Sequence, residues 1–142
     1  MALIVPLVAS LLTITNLNLN PGQILTVTGI IDENASTFQI NLGTDENNFL
    51  FHFSPRFEFN EDRKVIALNT KTDGIWGRDQ QTEYVFPFKK GEETSLLFVY
   101  QGNKIKVILP GGDEIVFPFR KQATILPYMN LKNLRLKSLT VI

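Results

Sequence analysis

With 142 residues, 44% of them hydrophobic and 20% charged, the chain is predicted to form a single globular domain over residues 1–142, which excludes wholesale disorder. Its 14 basic and 14 acidic residues cancel, which argues against a nucleic-acid binder, because such proteins need a positive field to attract phosphates. The absence of cysteine excludes disulfides and thiolate catalysis, and one histidine leaves almost no basis for a transition-metal site.

The first predicted element is an N-terminal strand. Residues 1–14, MALIVPLVASLLTI, are apolar enough to suggest a signal peptide, but they lack a basic region and Pro6 interrupts them. They also run directly into the alternating TITNLNLN, and they are too short to span a bilayer. We therefore predict a strand with no membrane insertion, and a cleaved signal peptide is the alternative.

Further along the chain, apolar residues recur with a period of two, which is the spacing of β-strands. The alternating segments are QILTVTGII, FQINLG, NFLFHFS, KVIALNT, EYVFPF, SLLFVYQ, KIKVILP, EIVFPF and LRLKSLTVI. Turn sequences such as GTDENN, KTDG and PGGD separate them, and no segment sustains a helical period over three turns. About ten or eleven short strands at this spacing predict an all-β fold, a β-sandwich.

Residues 49–57, FLFHFSPRF, contain the only histidine of the chain. Because side chains at every second position of a strand share a face, three phenylalanines are predicted to point inward: Phe49, Phe51 and Phe53. The outward face then carries Leu50, His52, Ser54 and Arg56. Pro55 cannot donate to a ladder of backbone hydrogen bonds, which predicts a strand end or a sheet edge here.

A row of polar residues with one tryptophan is expected beside His52. Asn69 ends the next strand, Trp76 follows in the glycine-flanked DGIWG, and Asp79 and Gln81 come after it. The hydroxyl groups of a pyranose need donors and acceptors in fixed geometry, which arginine, asparagine and neutral histidine supply. A flat aromatic ring covers the patch of C–H groups on one face of galactose. The row therefore predicts a sugar-binding site.

Each of these residues also has an ordinary structural explanation. A lone histidine on a strand is more often structurally satisfied than bound to a ligand. Arg56 and Asp79 would form an unremarkable exposed ion pair, and the single tryptophan of a small domain is usually packed in the core. Only the combined order and spacing favour the sugar site.

The runs HFSPRF, LNT, DGIWG and VFPF, in this order, resemble the galectin carbohydrate-recognition domain. The resemblance extends to ITNLNLNPGQILTVTGII, FQINLG and KVILPGGDEIVFPFRK, so it covers about residues 12–142. It implies a jelly-roll β-sandwich of two antiparallel sheets and binding of β-galactosides, with no catalysis, no metal and no cofactor. It also implies a cytoplasmic and extracellular protein that is exported without a signal peptide.

Four residues match the family pattern: His52, Arg56, Asn69 and Trp76. In the family, the first three contact galactose hydroxyls and the tryptophan stacks on the apolar face of the sugar. Three candidate site residues depart from the pattern, with Ser54 in place of Asn, Asp79 in place of Glu, and Gln81 in place of Arg. These departures predict a weakened or shifted sugar preference.

The sequence leaves open the register of the loop after Trp76. Counting forward from Trp76 places Asp79 and Gln81 at the acid and arginine positions of the family. Counting back from VFPF places Gln80 and Thr82 there instead. Either count loses the arginine.

The two termini predict an exposed apolar edge. NLRLKSLTVI alternates and then ends in apolar residues, and the N-terminal ALIVPLVASLL carries no charge. Soluble monomers normally protect such an edge. Single-domain galectins, which the chain resembles, pair through their terminal strands, so we expect a homodimer that crosslinks cell-surface glycans.

Two other functions stay open. The departures at Ser54 and Gln81 suit a galectin-fold structural or interaction protein with little sugar affinity. An enzyme is disfavoured, because the chain has no GxSxG nucleophile elbow. A glycosidase would need two opposed carboxylates, and the row offers only Asp79.

Overall fold

The computed structural model describes residues 10–122 and 124–142, which form two antiparallel sheets. The larger sheet contains β1 (Leu11–Ile14), β3 (Gln39–Asp45), β4 (Asn48–Phe59), β5 (Asp62–Thr72), β6 (Ile75–Trp76), β7 (Gln81–Glu83) and β11 (Tyr128–Lys132). The smaller sheet contains β2 (Ile24–Ile31), β8 (Glu93–Tyr100), β9 (Lys104–Ile108), β10 (Glu114–Pro118) and β12 (Leu134–Val141). The predicted all-β sandwich of two antiparallel sheets is confirmed.

The strand order places the candidate site near one side of the larger sheet. Neighbouring strands follow the order β1-β11-β3-β4-β5-β6, and β7 also pairs with β5. The smaller sheet has the order β10-β9-β8-β2-β12. Of the predicted N-terminal strand, residues 11–14 form β1, whereas residues 1–9 lie outside the described residues. The described part of the chain contains no helix that could cross a membrane.

The core between the sheets holds β4 in place. Phe51 and Phe53 point toward the smaller sheet, as predicted, and both are fully buried. The ring centroid of Phe51 lies 6.2 Å from that of Phe98 on β8 and 5.3 Å from that of Phe117 on β10. Full burial of one such side chain contributes roughly 1.5–3 kcal/mol to stability. These contacts anchor the strand whose other face carries the predicted site.

The alternation of β4 is interrupted near its start, and the prediction for Phe49 and Leu50 is wrong. Successive pairs on β4 skip from Phe49 to His52, while their partners on β5 are only two residues apart. This β-bulge reverses the side-chain directions that precede it. Phe49 therefore lies on the site face, with its ring centroid 6.0 Å from that of Trp76, and Leu50 packs against the core instead.

Gly43 on β3 leaves room for this irregular pairing. The register between β3 and β4 also shifts at Gly43, which pairs with Phe49. A Cβ at this position would collide with the backbone oxygen of Asn48 and with the Cα of Phe49. Since backbone atoms cannot rotate away as a flexible side chain does, the close approach requires glycine.

Candidate functional site

Strand pairing brings the central polar residues together on the outer face of the larger sheet. His52 of β4 lies directly opposite Asn69 of β5, and Arg56 follows on the same strand. Trp76 of β6 lies opposite Lys71 of β5, and its ring centroid is 4.5 Å from that of His52. Because Trp76 is 44% exposed, it is not the core residue that a single tryptophan usually is. We call His52, Arg56 and Asn69 the polar floor, and the solvent-facing ring of Trp76 bounds it.

His52 is buried in a position where it stays neutral. Only 3% of the residue is exposed, and its Nδ1 lies 2.6 Å from Oδ1 of Asn41 on β3. Burial, reinforced by the positive charges of Arg56 and Lys71, lowers the pKa of His52 to about 3. A neutral imidazole has one donor and one acceptor nitrogen. His52 therefore offers the site a hydrogen-bonding group rather than a charge.

Arg56 is held by an acid that the sequence analysis did not identify. Its Nη1 donates to Oδ2 of Asp62 at 2.7 Å, and its guanidinium lies 4.7 Å from the ring centroid of Phe59. Asp79 lies exposed in the loop between β6 and β7, so the structure places Asp62 rather than Asp79 beside Arg56. The Nε of Arg56 is buried and has no hydrogen-bond partner among the described residues. An unpaired buried N–H is costly, so this donor remains unsatisfied in the described structure.

Ser54 lies between His52 and Arg56 on β4 but is already bonded. Its Oγ is 2.8 Å from Oγ1 of Thr37, and both residues are buried. Ser54 pairs across the sheet with Ala67 of β5, which has no polar side-chain atom. The Ser54 hydroxyl is therefore already in a buried hydrogen bond, with which a ligand would have to compete.

Asn69 is held by partners from three segments. Its Oδ1 accepts hydrogen bonds from the backbone N–H of Thr70 at 2.8 Å and from Nη1 of Arg120 at 3.0 Å. Its Nδ2 donates to the carbonyl of Gly77 at 3.1 Å and carries a second hydrogen for a ligand. Arg120 also donates to the carbonyl of Asp79. A Cβ at Gly77 would lie 2.6 Å from Oδ1 of Asn69, so glycine at this position permits the arrangement.

Comparison with known proteins identifies the family. Residues 10–141 match the family model for galactoside-binding lectins. The chain belongs to this family, the galectins. Galectin-1 of Rhinella arenarum is 41% identical over 127 residues, which cover 89% of this chain and 94% of that protein. Galectin-1 of Mus musculus is 40% identical over 118 residues, or 83% of this chain and 87% of that protein.

Solved galectin structures share the fold of this chain. The complex of toad ovary galectin with thio-digalactose superposes with a TM-score of 0.90 at 39% identity and covers 93% of this chain and 98% of that one. The crystal structure of Xenopus laevis galectin-Ib gives a TM-score of 0.90 at 36% identity, covering 94% of this chain and 100% of that one. The resemblance inferred from the sequence motifs is confirmed.

In this galectin, the strand after Trp76 turns Gln81 and Thr82 to opposite faces of the larger sheet. β7 pairs with β5 in a register that puts Gln81 opposite a core leucine and Thr82 opposite Ala67. The amide of Gln81 accordingly points toward the smaller sheet and donates to the carbonyl of Val116 at 3.1 Å. Thr82 accepts a hydrogen bond from Nε2 of Gln80 at 3.2 Å. The structure thus does not bring Gln81 to the polar floor, and it places Thr82 on that face instead.

The site face of this galectin also contains residues that the sequence analysis did not select: Asn41, Phe49, Asp62, Lys71, Arg120 and Tyr128. Lys71 carries its Nζ 5.2 Å from the ring centroid of Trp76. Asn41 had a signal, because alternation in FQINLG already placed it on the polar face. Arg120 had none, since it lies 51 residues from Asn69 and contacts it only in the folded chain.

The depressed pKa of His52 predicts a dependence of stability on pH. In unfolded chains histidine titrates near 6.5, so between pH 6.5 and about 3 the unfolded state binds more protons than the native state. The contribution of His52 to stability is therefore complete above pH 6.5 and is lost as the pH falls toward 3. We expect urea unfolding of the wild type to lose up to about 1.4 kcal/mol per pH unit in this window relative to His52→Gln. Equal slopes for the two proteins, or an NMR titration of the single histidine near pH 6.5, would contradict this burial effect.

Proposed function

We propose that this galectin, as a single carbohydrate-recognition domain, binds β-galactoside-containing glycans on the face formed by β4, β5 and β6. The observation that carries the proposal is the half-exposed ring of Trp76 standing beside the buried, neutral His52 at 4.5 Å between ring centroids. A flat ring beside fixed hydrogen-bonding groups matches a sugar that has one apolar face and a hydroxylated rim. The structure of the toad ovary galectin with thio-digalactose supports the same ligand class.

In this proposal each residue has a distinct task. Arg56 donates to a sugar oxygen from a guanidinium N–H that Asp62 does not occupy, while its Nη1 remains bound to Asp62. Asn69 donates its second amide hydrogen, and His52 contributes the ring nitrogen that faces away from Asn41. Trp76 covers the C–H face of the galactose ring. The binding groups are held by protein contacts before the ligand arrives, which limits the ordering cost of binding.

A galectin-fold interaction protein with little sugar affinity is the second candidate. The Ser54 hydroxyl is already bonded to Thr37. Gln80 and Thr82, which follow Trp76 in the chain, are both uncharged. Retention on lactose-agarose decides between the two candidates. We propose no catalytic role, because the carboxylate beside Arg56 is committed to an ion pair. From family membership we also propose cytoplasmic and extracellular locations, with export that needs no signal peptide.

Replacing Trp76 with alanine tests the stacking role. We expect lactose binding, measured by calorimetry, to weaken at least tenfold, which is about 1.4 kcal/mol, while stability falls by less than about 1 kcal/mol. Ile75→Ala is the matched control, because Ile75 is an exposed neighbour on the same short strand and pairs with Thr72 rather than Lys71. The control should bind lactose normally. Equal binding by wild type and Trp76→Ala would remove Trp76 from the site.

The register of the loop predicts which substitutions restore the second half of the site. The double variant Gln80→Glu with Thr82→Arg places an acid and a cation on the site face, so we expect about fivefold tighter binding of lactose, or about 1 kcal/mol. The matched variant Asp79→Glu with Gln81→Arg introduces the same two residue types at the positions given by counting forward from Trp76. Since the Gln81 amide points toward Val116, its affinity should stay within twofold of the wild type. A larger gain for the second variant would show that the forward count is correct.

We also propose that two copies associate through the edges formed by β1 and β12. These strands lie at the ends of their sheets, on the same side, because the Asn133 N–H between β11 and β12 donates to the Ser10 carbonyl. Leu11, Val141 and Ile142 are exposed there. The opposite edge of the smaller sheet is blunted, since β10 has five residues and ends in proline, whereas β12 has eight. A twofold contact of β12 and β1 would cover both apolar edges and give two sugar sites for crosslinking.

Mass measurement by light scattering tests this assembly. At micromolar concentration the wild type should give twice the 16.1 kDa chain mass, and Val141→Lys should shift it toward the monomer and abolish agglutination. Val116→Lys places the same charge at a similarly exposed valine on the opposite edge strand β10 and should leave the dimer intact. Both variants should bind lactose as single chains. A monomeric wild type would exclude crosslinking by this route.

A further inference from the structure

A continuous chain of hydrogen bonds leads from His52 across two strands. His52 Nδ1 lies 2.6 Å from Oδ1 of Asn41 on β3, and Nδ2 of Asn41 lies 2.7 Å from Oδ1 of Asn130 on β11. Nδ2 of Asn130 lies 3.2 Å from the hydroxyl of Tyr128. All four residues are buried, and His52, Asn41 and Asn130 stand directly opposite one another in the sheet register. We call these four residues the relay.

The relay has a direction, because each amide has one accepting and one donating end. Asn130 donates to the Tyr128 hydroxyl, which leaves its oxygen to accept from Asn41. Asn41 uses the second hydrogen of the same amide nitrogen toward Oε1 of Gln39, at 3.3 Å. The atom that Asn41 turns to His52 is therefore its oxygen, which only accepts. The Nδ1 of His52 must then carry the hydrogen.

This direction determines what His52 can offer a ligand. In a neutral imidazole only one nitrogen is protonated, so a hydrogen on Nδ1 leaves Nε2 as a lone-pair acceptor. The groups around the ring keep it neutral, since Arg56 and Lys71 are cations and Asn69 and Trp76 are uncharged. A ligand atom at Nε2 has to be a hydrogen-bond donor, such as a sugar hydroxyl, and an ether or carbonyl oxygen there would be repelled.

We propose that Asn41 and Asn130 are positioning residues that lock His52 in the Nδ1–H tautomer, so that the site selects a glycan hydroxyl which donates to Nε2. The inference rests on the proposed function for its ligand, but the tautomer itself is a property of the free protein. Asn130 acts at a distance, since its contact is with Asn41 rather than with His52. The Asn130 amide is buried, so it would destabilise the fold if it had no hydrogen-bond partners. Asn41 and Tyr128 are those partners.

The experiment uses the single histidine of the chain. With 15N-labelled histidine, a long-range 1H–15N spectrum of the ligand-free protein at pH 7 shows one pair of ring nitrogens, which report the tautomer without overlap. We expect Nδ1 in the protonated range and Nε2 in the unprotonated range. The opposite pattern in the wild type would overturn the proposal without any variant being made.

Two substitutions at Asn130 then test the action at a distance. Asn130→Leu removes the acceptor that orients Asn41, so we expect a mixture of tautomers and lactose binding that is three- to tenfold weaker. Asn130→Asp offers only acceptor oxygens to Asn41, which enforces the same direction, so the Nδ1–H pattern should persist. Lys132→Leu, an exposed position two residues along β11, controls for a leucine on this strand and should change neither measurement. An Nδ1–H pattern in Asn130→Leu identical to that of the wild type would overturn the role of Asn130.

The same measurements separate this inference from the proposed function. A wild type that shows the Nδ1–H tautomer but does not bind lactose contradicts the function and leaves the relay supported. A wild type that binds lactose with the Nε2–H tautomer contradicts the relay and leaves the function supported.

Discussion

The packing of the β4 phenylalanines against the smaller sheet is the interaction on which the site depends. Phe51 and Phe53 occupy the core together with Phe98 and Phe117, and they hold β4 with its other face turned outward. The β4 residues that we propose to bind a ligand, His52 and Arg56, lie on the reverse side of this anchored strand. Because interiors are close-packed, a strand fixed on one face has little freedom to tilt on the other. The core therefore sets the precision of the polar floor.

The polar floor is itself buried, which determines the kind of chemistry it offers. Its ionisable members are either neutral, as His52 is, or paired, as Arg56 is with Asp62. Hydrogen bonds in a poorly solvated site are stronger than in water, and an unmatched group there is costly. Such a site discriminates between ligands by the direction of hydrogen bonds as much as by their number.

The elements of this fold that follow from local pattern were predictable, and those that depend on pairing were not. Alternation found β2, β8 and the inward direction of Phe51, because each depends on the strand alone. Phe49 was misplaced because a bulge shows only when two strands are aligned, although a glycine inside the partner strand at Gly43 was a hint. The motif predicted His52 beside Asn69. The directions of Gln81 and Thr82 depend on the register of β7 with β5, which the sequence leaves open.

Arg120 gives the site a mechanical property that no single sheet would have. It follows β10 of the smaller sheet, its guanidinium lies over the ring of Phe117, and it binds Asn69 and the Asp79 carbonyl on the larger sheet. The segment after Trp76 is thus held by Arg120 from the smaller sheet in addition to the pairing of β6 with β5. Because Arg120 follows β10, an edge strand, any loosening of that strand would remove its bond to Asn69 while β4 and β5 remain paired. The proposed site on one sheet therefore depends on an edge strand of the other.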